Sequence, residues 1–301
     1  MGDIKLFSIA DGNCIEYKGK SMTIEKSLQT LMEKHLEELL GIKFLATEFV
    51  TGRKHNGRID TLGLDENNSP VIIEYKRSTN ENVINQGLYY IDWLLDHKGD
   101  FYHIVLQQLG RKVAEEIEWT APRLLCIAGG FTRYDEYAVE QIDRNIELYR
   151  YSYFDEGLLM LDLVNATTSN SSPAQTTSQG RTTEKTFIEK KAQMQPHLVD
   201  VFNVLNNFIL SIGDDVQFKE LKFYGAYKRI KNFACIETYP SKDYITLYVK
   251  ANIEDIQIDN DFMRDVTGIG HYGTGNLQIN IRDENDIEKA KPYIMYSYEN
   301  N

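Results

Sequence analysis

Three charged residues beside two apolar runs are the feature of this sequence best able to support chemistry. Glu74 and Lys76 close one apolar run and share a side of it, because side chains alternate along a strand with a period of two. The preceding apolar run, 59–64, is separated from it by turn-forming residues at 65–70, which predicts a β-hairpin. A turn centred in that segment places Asp60 opposite Glu74, with the side chains about 5 Å apart.

Such a pair of carboxylates suits a divalent metal ion. Two carboxylates this close repel each other unless a positive charge lies between them. Their oxygen atoms are the ligands that Mg²⁺ and Mn²⁺ prefer, and these ions keep several water molecules. Lys76 would then orient or deprotonate a metal-bound water. The alternative interpretation is a surface hairpin with an ordinary Glu–Lys pair.

The spacing of these residues resembles the signature of the PD-(D/E)xK nuclease superfamily. Asp60 is followed after thirteen residues by Glu74-Tyr75-Lys76, and Ile59-Asp60 stands in place of the Pro-Asp of the signature. The resemblance implies a metal-dependent endonuclease that hydrolyses phosphodiester bonds in DNA. It further implies that Asp60, Glu74 and the backbone carbonyl of Tyr75 bind Mg²⁺ or Mn²⁺, while Lys76 positions the nucleophile.

A glutamate on an upstream helix is a further candidate for the metal site. Glu25 lies within about 30° of the centre of an apolar stripe, whereas Glu33 and Glu37 lie more than about 100° away and are expected to face water. Nucleases of the resembled superfamily carry a metal-site glutamate on their first helix, which implies this role for Glu25. The alternative is a favourable helix-dipole position for Glu25 behind a Thr23 cap. The stripe consists of Leu28, Leu31, Met32, Leu36, Leu39 and Leu40.

A glutamine and a tyrosine follow the hairpin at helical spacing. Gln86 and Tyr90 are four residues apart and would point the same way on a helix. They resemble the Q-x-x-x-Y element of NucS-type endonucleases, which implies that they orient Lys76 or the scissile phosphate. The alternative is an amphipathic helix on which Tyr90 packs and Gln86 is solvated. NucS-type enzymes act as symmetric dimers, so the resemblance also implies a homodimer.

The charge of the chain is −12, which argues against a protein that coats nucleic acid through bulk electrostatics. The charge around the hairpin is different, because four basic residues flank it. We expect these residues to contact DNA phosphates, with a solvated basic loop as the alternative. They are Arg53, Lys54, Arg58 and Arg77.

Composition divides the chain into two domains and a linker. Residues 166–185 are almost all small or polar, without a periodic apolar signal, and are expected to form a flexible Ser/Thr-rich linker. In residues 1–165, strands alternate with helices, which predicts an α/β domain. The nuclease resemblance specifies it as a restriction-endonuclease-like mixed sheet flanked by helices. Residues 186–301 form a separate, small α+β domain.

The C-terminal domain carries no recognisable catalytic motif. Its glycines do not follow a nucleotide-binding pattern, and His271, without a nearby Cys or His partner, is expected to be a loop histidine. The segment resembles a small domain of unknown function found beside nuclease-like domains. The resemblance implies recognition of a target or of a partner such as a protein, without catalytic chemistry.

The remaining features exclude several classes of protein. No run of eighteen apolar residues is present and the N-terminus lacks a signal core, so we expect a cytoplasmic protein without membrane association. Cys14, Cys126 and Cys235 have apolar neighbours and are expected to be reduced core thiols. The main alternative function is a non-catalytic nucleic-acid-binding or adaptor protein that retains the nuclease fold.

Overall fold

The computed structural model describes residues 4–20, 25–52, 56–76, 83–154, 157–167 and 185–301. The chain forms two compact units, Met1–Ser172 and Pro173–Asn301. In the described ranges, no helix is long and apolar enough to cross a membrane.

A seven-stranded mixed sheet is the centre of the N-terminal unit, and a two-stranded hairpin is separate from it. The hairpin is β1 (Leu6–Ala10) and β2 (Asn13–Tyr17). The sheet is β3 (Gly19–Lys20), β4 (Ile42–Val50), β5 (Arg58–Asp65), β6 (Pro70–Lys76), β7 (Arg123–Ala128), β8 (Asn145–Phe154) and β9 (Leu158–Thr167). Strands β6, β7 and β8 run parallel, while β4 and β5 on one side and β9 on the other add antiparallel pairs.

Helices flank this sheet, which confirms the predicted fold class. The helices are α1 (Glu25–Lys34), α2 (Leu36–Leu40), α3 (Val83–Asp96), α4 (Lys98–Leu109), α5 (Arg111–Glu115) and α6 (Arg133–Glu140). Helix α3 packs on β6 and β7, α1 contacts β5 and β6, and α2 contacts β4.

The C-terminal unit is a six-stranded antiparallel sheet with its own apolar core. The strand order is β10-β11-β12-β13-β15-β14, and helices α8 and α9 contribute apolar side chains to the core on one face. The strands are β10 (Gln217–Glu220), β11 (Gly225–Lys228), β12 (Asn232–Tyr239), β13 (Tyr244–Val249), β14 (Met263–Asp265) and β15 (Leu277–Ile281). The helices are α7 (Phe187–Lys191), α8 (Pro196–Leu210) and α9 (Glu284–Glu299).

The structure corrects the sequence-based expectations at the N-terminus. Among the described residues, the first strand, β1, pairs only with β2 and does not join the seven-stranded sheet. Cys14 on β2 is exposed, so the expectation of a core thiol is wrong there, whereas Cys126 and Cys235 are buried. The strand β9 extends to Thr167, so the first two residues assigned to the linker belong to the sheet.

A charge network fixes the turn end of the β5–β6 hairpin. Arg123 donates to Asp65 Oδ2 at 2.9 Å and to both oxygens of Glu147 at 2.8 Å, and all three side chains are almost fully buried. Asp65 Oδ1 also accepts the backbone N–H groups of Asn67 and Ser69 at 2.9 and 2.8 Å. Burying charge is costly unless it is paired, and here each charge has partners. The network therefore holds the hairpin in a single register.

Replacing Arg123 with Met should destabilise the N-terminal unit by about 3–5 kcal/mol, because two buried carboxylates lose their partner. The two tryptophans of the chain, Trp93 and Trp119, lie in this unit, so their fluorescence during urea denaturation reports on it selectively. The matched control is Arg111→Met, since the pair of Arg111 with Glu115 is exposed and screened by solvent, so its loss should leave the stability nearly unchanged. Equal losses in the two variants would contradict the stabilising role of the network.

Candidate active site at the open end of the hairpin

The two predicted carboxylates meet at the other end of the β5–β6 hairpin. The register pairs Thr61 with Ile73, so the next pair outward is Asp60 with Glu74. The backbone N–H of Asp60 donates to Glu74 Oε1 at 3.2 Å, and the N–H of Tyr75 donates to Asp60 Oδ2 at 3.0 Å. Each acid is thus fixed by the backbone of the opposite strand.

Glu74 is the least hydrated acid of this pair. Its side chain is completely buried, and its Oε2 atom has no hydrogen-bond partner among the described residues. Burial first, and then the neighbouring charge of Asp60, raise the pKa of Glu74 to about 9. Burial also raises the pKa of Asp60, although the Tyr75 N–H and the Lys76 charge oppose this effect. Without a bound metal ion, the Glu74 carboxyl group therefore retains its proton at neutral pH.

Lys76 lies beside the carboxylates and is held by Glu25. Its ammonium donates to Glu25 Oε1 at 3.0 Å. Burial lowers the pKa of Lys76, but the hydrogen bond to Glu25 and the charges of Glu25, Asp60 and Glu74 outweigh it and raise the pKa overall. The amine is therefore charged and acts as a donor. Glu25 thus reaches the site, but it contacts the lysine, and its role as a metal ligand stays a prediction.

Gln86 and Tyr90 lie on one side of α3, as predicted. The Gln86 amide donates to the Tyr90 hydroxyl at 3.4 Å, and that hydroxyl accepts the backbone N–H of Arg58 at 3.1 Å. Tyr90 also packs against Gly57, where an added Cβ would lie 2.6 Å from the tyrosine ring. Tyr90, held by Gln86, therefore contacts the start of β5 near Asp60. A contact of Gln86 or Tyr90 with Lys76 or with a phosphate stays a prediction.

One expectation about the first helix is wrong. Glu33 does not face water, because its Oε1 accepts the Thr61 hydroxyl at 2.6 Å and the Gln29 amide at 2.9 Å. The predicted apolar stripe assumes one continuous helix, but the helix ends at Lys34 and a new one begins at Leu36. The face of α1 turned to the sheet is therefore rotated toward Gln29 and Glu33, while Glu37 is exposed as expected.

Gln29 is a site residue that the sequence analysis did not identify. Its amide is buried and donates to the Asp60 backbone carbonyl at 2.7 Å and to the Thr47 hydroxyl at 3.1 Å. It thereby fixes the strand that carries Asp60. The available signal was the helical spacing of Gln29, which lies four residues after Glu25 and three residues before Met32 of the apolar stripe.

The predicted phosphate contacts are only partly described. Arg58 is exposed and pairs with Glu48 Oε2 at 2.5 Å, and Lys26 binds the other oxygen of the same acid at 2.9 Å. The Lys26 hydrogen bond is the largest cause of the lowered pKa of Glu48. A phosphate at Arg58 would therefore compete with this acid. The other three basic residues, Arg53, Lys54 and Arg77, lie outside the described residues.

The residues present fit a Mg²⁺ or Mn²⁺ ion with few protein ligands. In the described part of the chain, no group of three or more His, Cys, Asp or Glu side chains is placed to hold a metal ion. Magnesium, however, is often bound through one or two carboxylates and several waters. Asp60 and Glu74 supply such oxygens, and Glu74 Oε2 has no hydrogen-bond partner among the described residues.

Comparisons with known proteins match different parts of the chain. Residues 184–301 match a family described as a domain of unknown function, DUF5655, in agreement with the expectation for this segment. An uncharacterized protein of Haemophilus influenzae is 27% identical over 304 residues, which cover 97% of each chain.

Two solved structures are similar at a low level. A repair endonuclease from Pyrococcus abyssi has a TM-score of 0.30 and 15% identity, over 48% of this chain and 64% of that chain. The structure of an EndoMS-dsDNA2 complex has a TM-score of 0.26 and 18% identity, over 44% of this chain and 47% of that chain. This chain thus spans less than two thirds of either protein.

The buried acid predicts how stability depends on pH in EDTA. The folded state holds the Glu74 proton up to a pKa of about 9, whereas the ordinary value is 4.5, so folding should weaken as pH rises between these values. One such group contributes a slope of at most about 1.4 kcal/mol per pH unit. Urea denaturation followed by tryptophan fluorescence measures this slope. Glu74→Gln, which resembles the protonated acid, should have a smaller slope than wild type.

Glu37→Gln is the matched control for this experiment, because Glu37 is exposed and should leave the wild-type slope unchanged. If the slope of Glu74→Gln equals that of wild type, the raised pKa of Glu74 does not exist.

Proposed function

We propose that the N-terminal unit is a metal-dependent endonuclease of the PD-(D/E)xK type that hydrolyses phosphodiester bonds in DNA. The observation that carries the proposal is the pairing of Asp60 with Glu74 across the hairpin, with a buried and unpartnered carboxylate oxygen and a charged lysine beside it. A hairpin with a purely structural role is not expected to contain this arrangement, since uncompensated buried carboxylates destabilise a fold. Strongly shifted acids with specific charged neighbours are typical of catalytic sites.

Asp60 and Glu74 would hold Mg²⁺ or Mn²⁺, together with the backbone carbonyl of Tyr75. A bound divalent ion lowers the pKa of a water molecule and neutralises charge that develops on the phosphate. The fixed backbone hydrogen bonds on Asp60 and Glu74 keep the carboxylates in place, so little reorganisation is needed when charge changes during the reaction.

Lys76 would position the nucleophilic water and the scissile phosphate. Its raised pKa keeps it as an ammonium, so it donates hydrogen bonds and does not remove a proton. Glu25 orients the Lys76 ammonium from the solvent side of the site, since the Glu25 side chain is 43% exposed. Substrate binding would therefore loosen the Lys76–Glu25 pair as the phosphate takes over one hydrogen bond.

Gln86 and Tyr90 would support the site through the start of β5. Tyr90 holds the Arg58 backbone two residues before Asp60, and Gln86 holds the Tyr90 hydroxyl. DNA is the proposed partner, with Arg58 released from Glu48 to meet a phosphate. A homodimer and a protein partner for the C-terminal unit stay predictions that follow from the resemblance.

A second candidate function is a DNA-binding adaptor that retains the fold without catalysis. It is favoured by the existing partners of the cations at the site, since Glu25 holds Lys76 and Glu48 holds Arg58. In an adaptor, Lys76 would be one phosphate contact among several. Its removal would then weaken DNA binding modestly. The slope of the logarithm of affinity against the logarithm of salt concentration would fall by about one.

Purified full-length protein with Mn²⁺ should cut at least one of labelled single-stranded, duplex or mismatched DNA, and EDTA should abolish the cutting. Asp60→Asn, Glu74→Gln and Lys76→Ala should each reduce cleavage by about a hundredfold or more, because each removes a group that acts on the reacting phosphate or water. Lys76→Ala should retain most of the DNA affinity, which fluorescence anisotropy at several salt concentrations measures.

Glu37→Gln and Lys34→Ala are matched controls, since Lys34 at the end of α1 and Glu37 on α2 are both exposed. They should cut DNA like wild type. If wild-type protein with Mn²⁺ binds these substrates and cuts none of them, and Lys76→Ala only weakens binding, the adaptor function is correct and the endonuclease proposal is wrong.

A further inference from the structure

Arg150 is a second cation at the end of the sheet where the proposed active site lies. The register across the parallel strands aligns Lys76 on β6 with Ala128 on β7, and Ala128 with Arg150 on β8. Paired residues of neighbouring strands point to the same side of a sheet, so Arg150 shares a face with Lys76. Two strand spacings of about 4.8 Å place the two backbones about 10 Å apart. The side chain between them in this row is the single methyl group of Ala128.

The Arg150 guanidinium is largely buried, but its N–H groups are not all paired. Its side chain is 18% exposed, and in the described part of the chain it makes one hydrogen bond, from Nη2 to Asp162 Oδ2 at 2.5 Å. Its Nε–H is buried and has no partner among the described residues. A buried donor without a partner destabilises a fold. Arg123, in contrast, uses three N–H groups to bind two carboxylates. Arg150 therefore differs from an arginine with a purely structural role.

The pair of Arg150 with Asp162 repeats the arrangement of Lys76 with Glu25. In each pair the cation is mostly buried, with side-chain exposures of 18% and 16%, and the acid is more open to solvent, at 38% and 43%. An acid near the surface is a weak partner, because water screens its charge. An incoming anion can therefore replace either acid, while burial keeps the cation in position.

We propose that Arg150 binds a DNA backbone phosphate that flanks the scissile one, and that Asp162 occupies this phosphate site in the absence of DNA. Arginine suits the role because its planar guanidinium donates two parallel hydrogen bonds to a phosphate. Lys76 would meet the scissile phosphate and Arg150 a neighbouring one, so the two contacts together would fix the direction of the strand across the sheet. The choice of DNA as the ligand rests on the proposed function.

DNA binding by the full chain should be measured in EDTA, where no metal-dependent cleavage occurs. Fluorescence anisotropy gives the affinity for a labelled single strand and a labelled duplex at several salt concentrations. Arg150→Met should weaken binding to the probe that wild type prefers by about tenfold, as expected for one charge-assisted contact. The slope of the logarithm of affinity against the logarithm of salt concentration should fall by about one. Arg150→Lys should keep the slope, since it keeps the charge, and lose part of the affinity.

Asp162→Asn is the second variant, because it should act in the opposite direction. Without the competing carboxylate, binding should become tighter by about threefold, the effect expected for a partly exposed ion pair. A structural role of the pair predicts instead that both variants weaken binding. This variant decides the question even if Arg150→Met does not fold, which the tryptophan emission spectrum of each variant shows.

Arg144→Met is the matched control for the loss of one positive charge. Arg144 is exposed and lies directly before the amino end of β8, about 20 Å from Arg150 at a rise of about 3.3 Å per residue. It is therefore far from the proposed phosphate site. The variant should bind both probes like wild type and keep the wild-type salt slope.

Three results would overturn the proposal: wild-type affinity and salt slope in Arg150→Met, weaker binding by Asp162→Asn than by wild type, or equal losses in Arg150→Met and Arg144→Met, which would show a dependence on net charge alone. These results are separable from the nuclease proposal. Cleavage by wild type together with wild-type binding by Arg150→Met refutes only the phosphate site. The expected changes in binding without cleavage of any substrate refute only the nuclease.

Discussion

The desolvated carboxylate of Glu74 is the constraint around which the N-terminal unit is arranged. The acid sits in the strand where antiparallel and parallel parts of the sheet join, and its neighbours leave no access to water. An unpaired carboxylate in such a place is destabilising unless it is protonated or meets a cation. This one charge is stabilised by the Asp60 N–H and the Lys76 ammonium. The proposed metal ion would neutralise it.

The two ends of the hairpin show how stability and function are separated. At the turn end, Arg123 pairs with both Asp65 and Glu147, and two backbone N–H groups also donate to Asp65, so buried charge there fixes the register. About 17 Å away along β5, at a rise of about 3.3 Å per residue, Asp60 and Glu74 are only partly compensated. The first network sets the alignment that brings the second pair together. A cation at the open end would therefore compensate the carboxylate charge of Asp60 and Glu74 that the protein itself leaves partly unpaired.

The hairpin and its acids could be predicted because they depend on local alternation and a recognisable turn. The orientation of Glu33 could not, since it depends on a helix break at His35 that no Gly or Pro marks. The proximity of Glu237 and Arg264 in the C-terminal unit could not be predicted either, because only strand pairing across the sheet brings these two residues together. The Gly-rich loop before β15 was visible in the sequence, but its contact with Cys235 was not.

Titration of the full-length protein with Mn²⁺, followed by electron paramagnetic resonance of the free ion, tests the central claim most directly. The account predicts one site that is lost or weakened at least about tenfold in Glu74→Gln and in Asp60→Asn, because these acids are the proposed ligands. The site should remain in Lys76→Ala and in the exposed control Glu37→Gln. Unchanged Mn²⁺ binding in both carboxylate variants, or no binding by wild type at millimolar Mn²⁺, would contradict the account.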